Sequence, residues 1–182
     1  RLVGMITADA IVHIVQEEAS EGALLLSGAG VEDDINEPGR DSYPAPVRWL
    51  IANLGTALVA STIISFFEGA IAQMVALAVL LPIVAGVGGN AGTQTLAVTV
   101  RALATNQLTR SNRWRAVWRE VRVALLNGAT VALVIGIGVS VVFANPLLGG
   151  VIAAAMMANI VIAGLSGALV PLTLERLGAD PA

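Results

Sequence analysis

The sequence predicts an all-α, polytopic membrane helix bundle, and three observations carry that prediction. Of 182 residues, 56% are hydrophobic and only 13% are charged, where a soluble domain carries about a quarter charged. No charge falls between Glu68 and Arg101 or between Arg122 and Glu175. A span needs roughly 20 apolar residues, so the first gap holds one long helix and the second holds two. The mean hydropathy of +0.81 agrees.

The charges that remain are segregated. Nine acids precede Pro44 against Arg1 and Arg40, whereas six arginines against Glu120 lie between Arg101 and Arg122, and there is no lysine. The absence of cysteine excludes disulfides and thiolate metal sites. Arg1 opens no signal-peptide pattern, so the chain reads as a piece of a longer protein.

Residues 1–21, RLVGMITADAIVHIVQEEASE, read as a short strand and an amphipathic helix. Thr7 or Asp9 caps that helix, and Ile11, Ile14 and Val15 share one face. Twenty-odd residues bury no core of their own, so this is the end of a soluble domain. His13, the single histidine, belongs to its packing rather than to a metal. Residues 22–46 form an acidic Gly/Pro-containing connector. It is either a solvated linker or a cation-responsive segment in which Glu32, Asp33, Asp34 and Glu37 gather on adjacent helical turns.

Residues 47–182 form the transmembrane domain. The first span is expected over about 49–67, opened by the interfacial pair Arg48 and Trp49 and ended by Glu68. The second is expected over 71–103, a length of roughly 50 Å against a hydrocarbon core of about 30 Å, with Pro82 and the following glycines as the place to bend. A basic loop, RSNRWRAVWREVR, follows, with Trp114 and Trp118 as interfacial anchors. The third span is expected over 121–143 and the fourth over 147–174, separated by the turn at Asn145 and Pro146. Arginine placement puts both ends of the chain in the cytoplasm, and an arginine run between two spans excludes nucleic acid as the partner. At the end, Asp180 followed by Pro181 is a helix-start signal, which implies a fifth span in the parent protein.

The second span contains the chemistry. PIVAGVGGNAGTQT carries Gly86, Gly88, Gly89 and Gly92 with Asn90, Thr93 and Gln94. Asn90 and Gln94 are four residues apart and share a helical face with Gly86 and Ala97. Gly88 and Gly92 make a G-x-x-x-G pair, the usual meaning of which is close helix contact. The alternative is a pore wall, in which neutral amide, hydroxyl and carbonyl oxygens hold a hydrated hard cation weakly enough to release it. Asn53, Asn127 and Asn159 read as interhelical hydrogen-bonding groups, Met156 and Met157 as packing, and Pro171 as a kink. No nucleophile–histidine arrangement supports an enzyme.

The stretch PIVAGVGGNAGTQTLAVTVRALA, residues 82–104, closely resembles the signature helix of the MgtE family of magnesium transporters and channels. The first 21 residues resemble the end of that family's second CBS domain, the acidic connector its plug helix, FFEGAI at 66–71 the outer end of its first span, and GADPA the entry to its fifth. The resemblance implies a homodimer of five-span subunits in the cell inner (plasma) membrane. It further implies a Mg²⁺ pathway lined by the second and fifth helices and closed by cytosolic Mg²⁺ acting on the acidic domains. Carried over to this chain, Asn90 lines the pore, shaped by Gly86, Gly88, Gly89 and Gln94. Asp180 and the Ala179 carbonyl stand at its cytoplasmic side and Glu68 at its outer mouth. The fifth helix, with the family's main pore aspartate, is not in this sequence, so the piece alone is not expected to conduct. Two other functions remain open: a secondary active cation transporter, and a non-transporting membrane-anchored Mg²⁺ sensor.

Overall fold

The computed structural model describes residues 44–105, 107–108 and 111–178. The strand, helix and acidic connector expected over residues 1–43 lie outside them, as do Ala179 and Asp180. Every regular element among the described residues is a helix, and four of the helices are long and apolar enough to cross a membrane. They are α1 (Pro44–Ser65), α3 (Val75–Ala104), α4 (Arg113–Val142) and α5 (Pro146–Leu177), with the short α2 (Glu68–Gln73) between α1 and α3.

The chain divides into two units, one ending at Glu68 and one running from Gly69 to Pro181. In the first, α1 ties the Thr56, Thr62 and Ser65 hydroxyls back to its own carbonyls. Thr56 Oγ1 donates to Asn53 O at 2.8 Å and Thr62 Oγ1 to Leu58 O at 2.8 Å, the back-bonding available to Ser and Thr inside a helix. The expected first span, 49–67, begins earlier and ends earlier than drawn from charge, at Pro44 and Ser65.

The expected second span, 71–103, is split at its start. Met74 adopts φ −138°, ψ 83°, which breaks the helix between α2 and α3. From Val75 to Ala104, α3 then continues through Pro82. The arginine-rich stretch placed in a loop is helical from Arg113 onward. Hydropathy reports the depth of hydrocarbon, not the end of hydrogen bonding, so a helix that projects from the bilayer runs past the apolar boundary.

In the second unit, α5 is the central helix and packs along both α3 and α4. Its buried residues include Leu148, Ile152, Met156, Ile160, Gly164, Ala168 and Leu172, a repeat of four that follows one ridge of the helix surface. The facing ridge of α4 is built from small residues, with Ala124, Gly128, Ala132 and Gly136 all buried. Small side chains let helix backbones approach where lipid supplies no hydrophobic drive between helices. A Cβ added to Gly149 would run into Gly136 O and Ser140 Oγ, and one on Gly164 into Ala124 Cβ, so α4 and α5 are antiparallel and nearly touching. The same two helices meet at the far end through Arg113 and Glu175, whose closest nitrogen–oxygen distance is 2.6 Å.

The turn between α4 and α5 is short. Ala144 has φ +47°, a left-handed conformation that costs a residue with a Cβ about 1 kcal/mol. Asn145 Oδ1 accepts from Leu148 N at 3.1 Å, and Pro146 stands at the start of α5, so the cap and proline fix the entry angle. At its other end α5 closes on Gly178 with φ +74°, the conformation glycine adopts without strain.

The core of this unit is small and almost wholly apolar. Met156 and Pro171 are fully buried, and Leu80 of α3 joins Val139, Leu148 and Ile152 in one cluster. Outward, Leu126, Leu133, Val134, Ile137 and Val141 of α4 are exposed. Large apolar side chains facing out and small ones facing in are what a lipid solvent selects.

Candidate functional site

The packed side of α3 faces α5. Gly88 is buried, and a Cβ there would coincide with the amide of Asn159. Asn159 Nδ2 donates to Val84 O at 2.5 Å across the interface, the interhelical role expected of it. Farther along, a Cβ on Gly167 would meet Gly92 O, Leu96 N and Thr95 Cβ, while one on Gly92 would touch Ala163. The contacts advance together along both helices, so α3 and α5 run parallel. Gly88, expected to shape a pore, is therefore where α3 takes in the Asn159 side chain, and Gly92 with Gly167 is where the two backbones come close.

The other side of α3 is bare. Gly86, Gly89, Asn90, Thr93, Gln94 and Ala97 are exposed, and a Cβ on Gly86 or Gly89 would meet nothing within 4 Å. Thr93 Oγ1 donates to Gly89 O at 3.1 Å and to Asn90 O at 3.0 Å. The Asn90 and Gln94 side-chain amides have no such partner among the described residues. The expected shared face of Gly86, Asn90 and Gln94 thus exists, and it points away from the helix that covers Gly88.

Between the two sides lies an open groove of about 450 Å³, walled by α3 residues Gly88, Gly89, Gly92 and Thr93 and by Asn159, Ser166 and Gly167 of α5. Its lining contains no charged residue among the described residues. Among the described residues there is no group of three or more His, Cys, Asp or Glu side chains able to hold a metal. The oxygens on offer are neutral, from amides, hydroxyls and main chain, and a hard cation meets them through its own water. Glu68, expected at an outer mouth, opens the first turn of α2 and is exposed. Glu32, Asp33, Asp34, Glu37, Ala179, Asp180 and His13 lie outside the described residues.

Sequence reasoning passed over part of this arrangement. Ser166 of α5 lines the groove, and the ladder Ala124–Gly128–Ala132–Gly136 builds the α4–α5 contact. The second was detectable as small residues repeating every four positions. The first was not, because nothing in the sequence around Ser166 says which helix its face of α5 meets.

Apolar helices packed through glycine, with one uncharged oxygen-bearing face left bare, define a multi-pass membrane protein. A model of the MgtE family, described as divalent cation transporter, matches residues 81–182, and the chain belongs to that family. It is 36% identical over 182 residues to the magnesium transporter MgtE of Bacillus subtilis (strain 168). To the proteins of the same name from Enterococcus faecalis and Thermus thermophilus it is 37% and 36% identical over 181 and 185 residues. Each alignment takes in the whole of this chain but only 40–41% of the relative, so the chain spans about two fifths of the length of these transporters.

Proposed function

We propose that the chain is the membrane part of a Mg²⁺ transporter that works as a channel, with the bare face of α3 as one wall of the ion path. The observation that carries this reading is the pair Asn90 and Gln94, two amides without a partner among the described residues, beside Gly86 and Gly89 on a helix that is charge-free until Arg101. An unsatisfied amide in hydrocarbon costs several kcal/mol, so a face of this kind is stable only against water, an ion's hydration shell or another protein segment. Mg²⁺ keeps several waters and favours octahedral oxygen coordination. Neutral amides bind such a hydrated ion weakly enough for it to pass on. Membership of a divalent cation transporter family and similarity to magnesium transporters support Mg²⁺ as the cargo.

In this reading Gly88 acts indirectly, by letting α5 hold α3 in place. The protein is a homodimer in the cell membrane with its arginine-rich end in the cytoplasm. Cytosolic Mg²⁺ closes the path through Glu32, Asp33, Asp34 and Glu37 of the connector, and Asp180, Ala179 and Glu68 contribute oxygens at the two mouths.

The test is Mg²⁺ flux into liposomes holding the full-length protein, with and without an imposed proton or Na⁺ gradient. Gradient-independent flux that changes in Asn90→Ala is the expected result. Flux that needs a gradient identifies a coupled transporter, and identical flux in wild type, Asn90→Ala and Asn90→Leu removes α3 from the path.

A further inference from the structure

A second cavity, of about 420 Å³, lies at the arginine-bearing end of the bundle, away from the α3–α5 groove. Its walls are the last turn of α3 at Ala102, the connecting residues Gln107 and Leu108, and the first turns of α4. Arg115, Arg119 and Arg122 line it, and no acidic side chain among the described residues does. At 100° per residue these three lie on one narrow stripe of α4. Val117, on the opposite side, is buried in the bundle. The connecting segment is held in place: Gln107 N and Leu108 N both donate to Ala102 O, at 2.9 and 3.1 Å, and Asn112 Nδ2 donates to Gln107 O at 2.8 Å.

The stripe carries surplus charge. Arg119 pairs with Glu120 at 2.8 Å. Arg122 Nε reaches only the Trp118 carbonyl, at 3.4 Å, and Arg115 makes no ion pair among the described residues. Depth follows from helix geometry. The charge-free run Val123–Val142 spans about 30 Å at 1.5 Å per residue, the thickness of the hydrocarbon core. Arg122 and Arg119 then stand in the headgroup layer, about 5–8 Å thick, and Arg115, about 12 Å along the helix from Val123, stands just beyond it. Trp118, 63% exposed, is one turn from Arg122 and level with Arg119, in the layer where indole rings settle in a bilayer.

We propose that this cavity binds the phosphate headgroup of an anionic phospholipid, with Arg115 and Arg122 as its principal ligands. Guanidinium groups grip phosphate oxygens in pairs, and basic pockets at a membrane face attract anionic lipid. Ala102, Leu108 and Ala116 give the cavity an apolar share that suits the glycerol end of a lipid better than a free ion. The inference does not depend on the ion path: it concerns the other side of the bundle and is read without measuring flux.

The experiment uses the full-length protein with Trp114 and Trp118 as its only tryptophans, reconstituted with dibrominated phosphatidylglycerol or dibrominated phosphatidylcholine as the quencher. Each nearby arginine strengthens attachment of an anionic lipid about fivefold, so with two ligands the phosphatidylglycerol is expected to quench at a roughly 25-fold lower mole fraction. Arg115→Gln/Arg122→Gln is expected to bring the two lipids level, whereas Arg115→Lys/Arg122→Lys keeps most of the preference and controls for folding. Arg176→Gln, which removes the same kind of charge from α5, leaves the preference intact. Equal quenching by both lipids in wild type overturns the proposal, as does a preference that survives the double glutamine variant. A preference that falls as far in Arg176→Gln means general surface charge and also overturns it. Relief of quenching by millimolar inorganic phosphate means that the cavity takes free phosphate, and overturns the lipid assignment.

Discussion

The two sides of α3 are built from similar residues and do opposite things. On one side Gly88 and Gly92 disappear under Asn159 and Ala163 of α5, and the amide of Asn159 is spent on Val84 O. On the other, Gly86 and Gly89 face open space and Asn90 and Gln94 have no partner among the described residues. Glycine and asparagine in a membrane helix therefore have no fixed meaning. What decides is whether another helix occupies the volume that the missing side chain leaves.

That contrast is most directly broken at the closest approach. Gly167→Val places a side chain into Gly92 O and Leu96 N, main-chain atoms that cannot swing aside. A loss of about 3 kcal/mol is expected, read by unfolding of the full-length protein in detergent. Asn159→Ala removes the one amide bond across the seam. Its expected effect is about 1 kcal/mol in the same assay, the range found for interhelical hydrogen bonds in membranes. Smaller again is the ion pair that joins α4 to α5, since the Glu175 side chain is 38% exposed. A double-mutant cycle with Arg113→Gln and Glu175→Gln is expected to give a coupling of about 0.5 kcal/mol. The least effect on stability belongs to the bare side, where Gly86→Ala and Asn90→Ala are expected to stay within about 1 kcal/mol of wild type. If those variants also leave Mg²⁺ flux unchanged, the bare side is merely lipid-facing and the contrast has no functional content.

Much of this was legible in the chain itself. Two charge-free gaps and the roughly 20-residue rule found the long helices, and the four-residue spacing of Asn90 and Gln94 put them on one face before any neighbour was known. What could not be read was which face α5 would cover. Gly88 and Gly89 are adjacent in sequence and chemically identical, and only the arrival of Asn159, far along the chain, buries one and leaves the other exposed. The break at Met74 and the early start of α4 at Arg113 escaped for a different reason. Both fall where the chain leaves hydrocarbon, and there apolarity stops tracking the backbone's hydrogen bonds.

The tight turn at Ala144 and Asn145 bears on how the protein reaches the bilayer. Between Arg122 and Glu175 the chain carries no charge, so the tip joining α4 to α5 presents nothing ionised to drag through the lipid during synthesis. A charged residue at the centre of a span costs roughly 2.5–3.5 kcal/mol during insertion, and this tip avoids that barrier altogether. The two helices, already matched ridge to ridge, are expected to enter as one folded hairpin. Placing arginines at Ala144 and Leu147 tests this: delayed translocation of the tip, followed by a glycosylation tag at that position, is the expected outcome. Native assembly of this half of the bundle is then a property of its last turn as much as of its long helices.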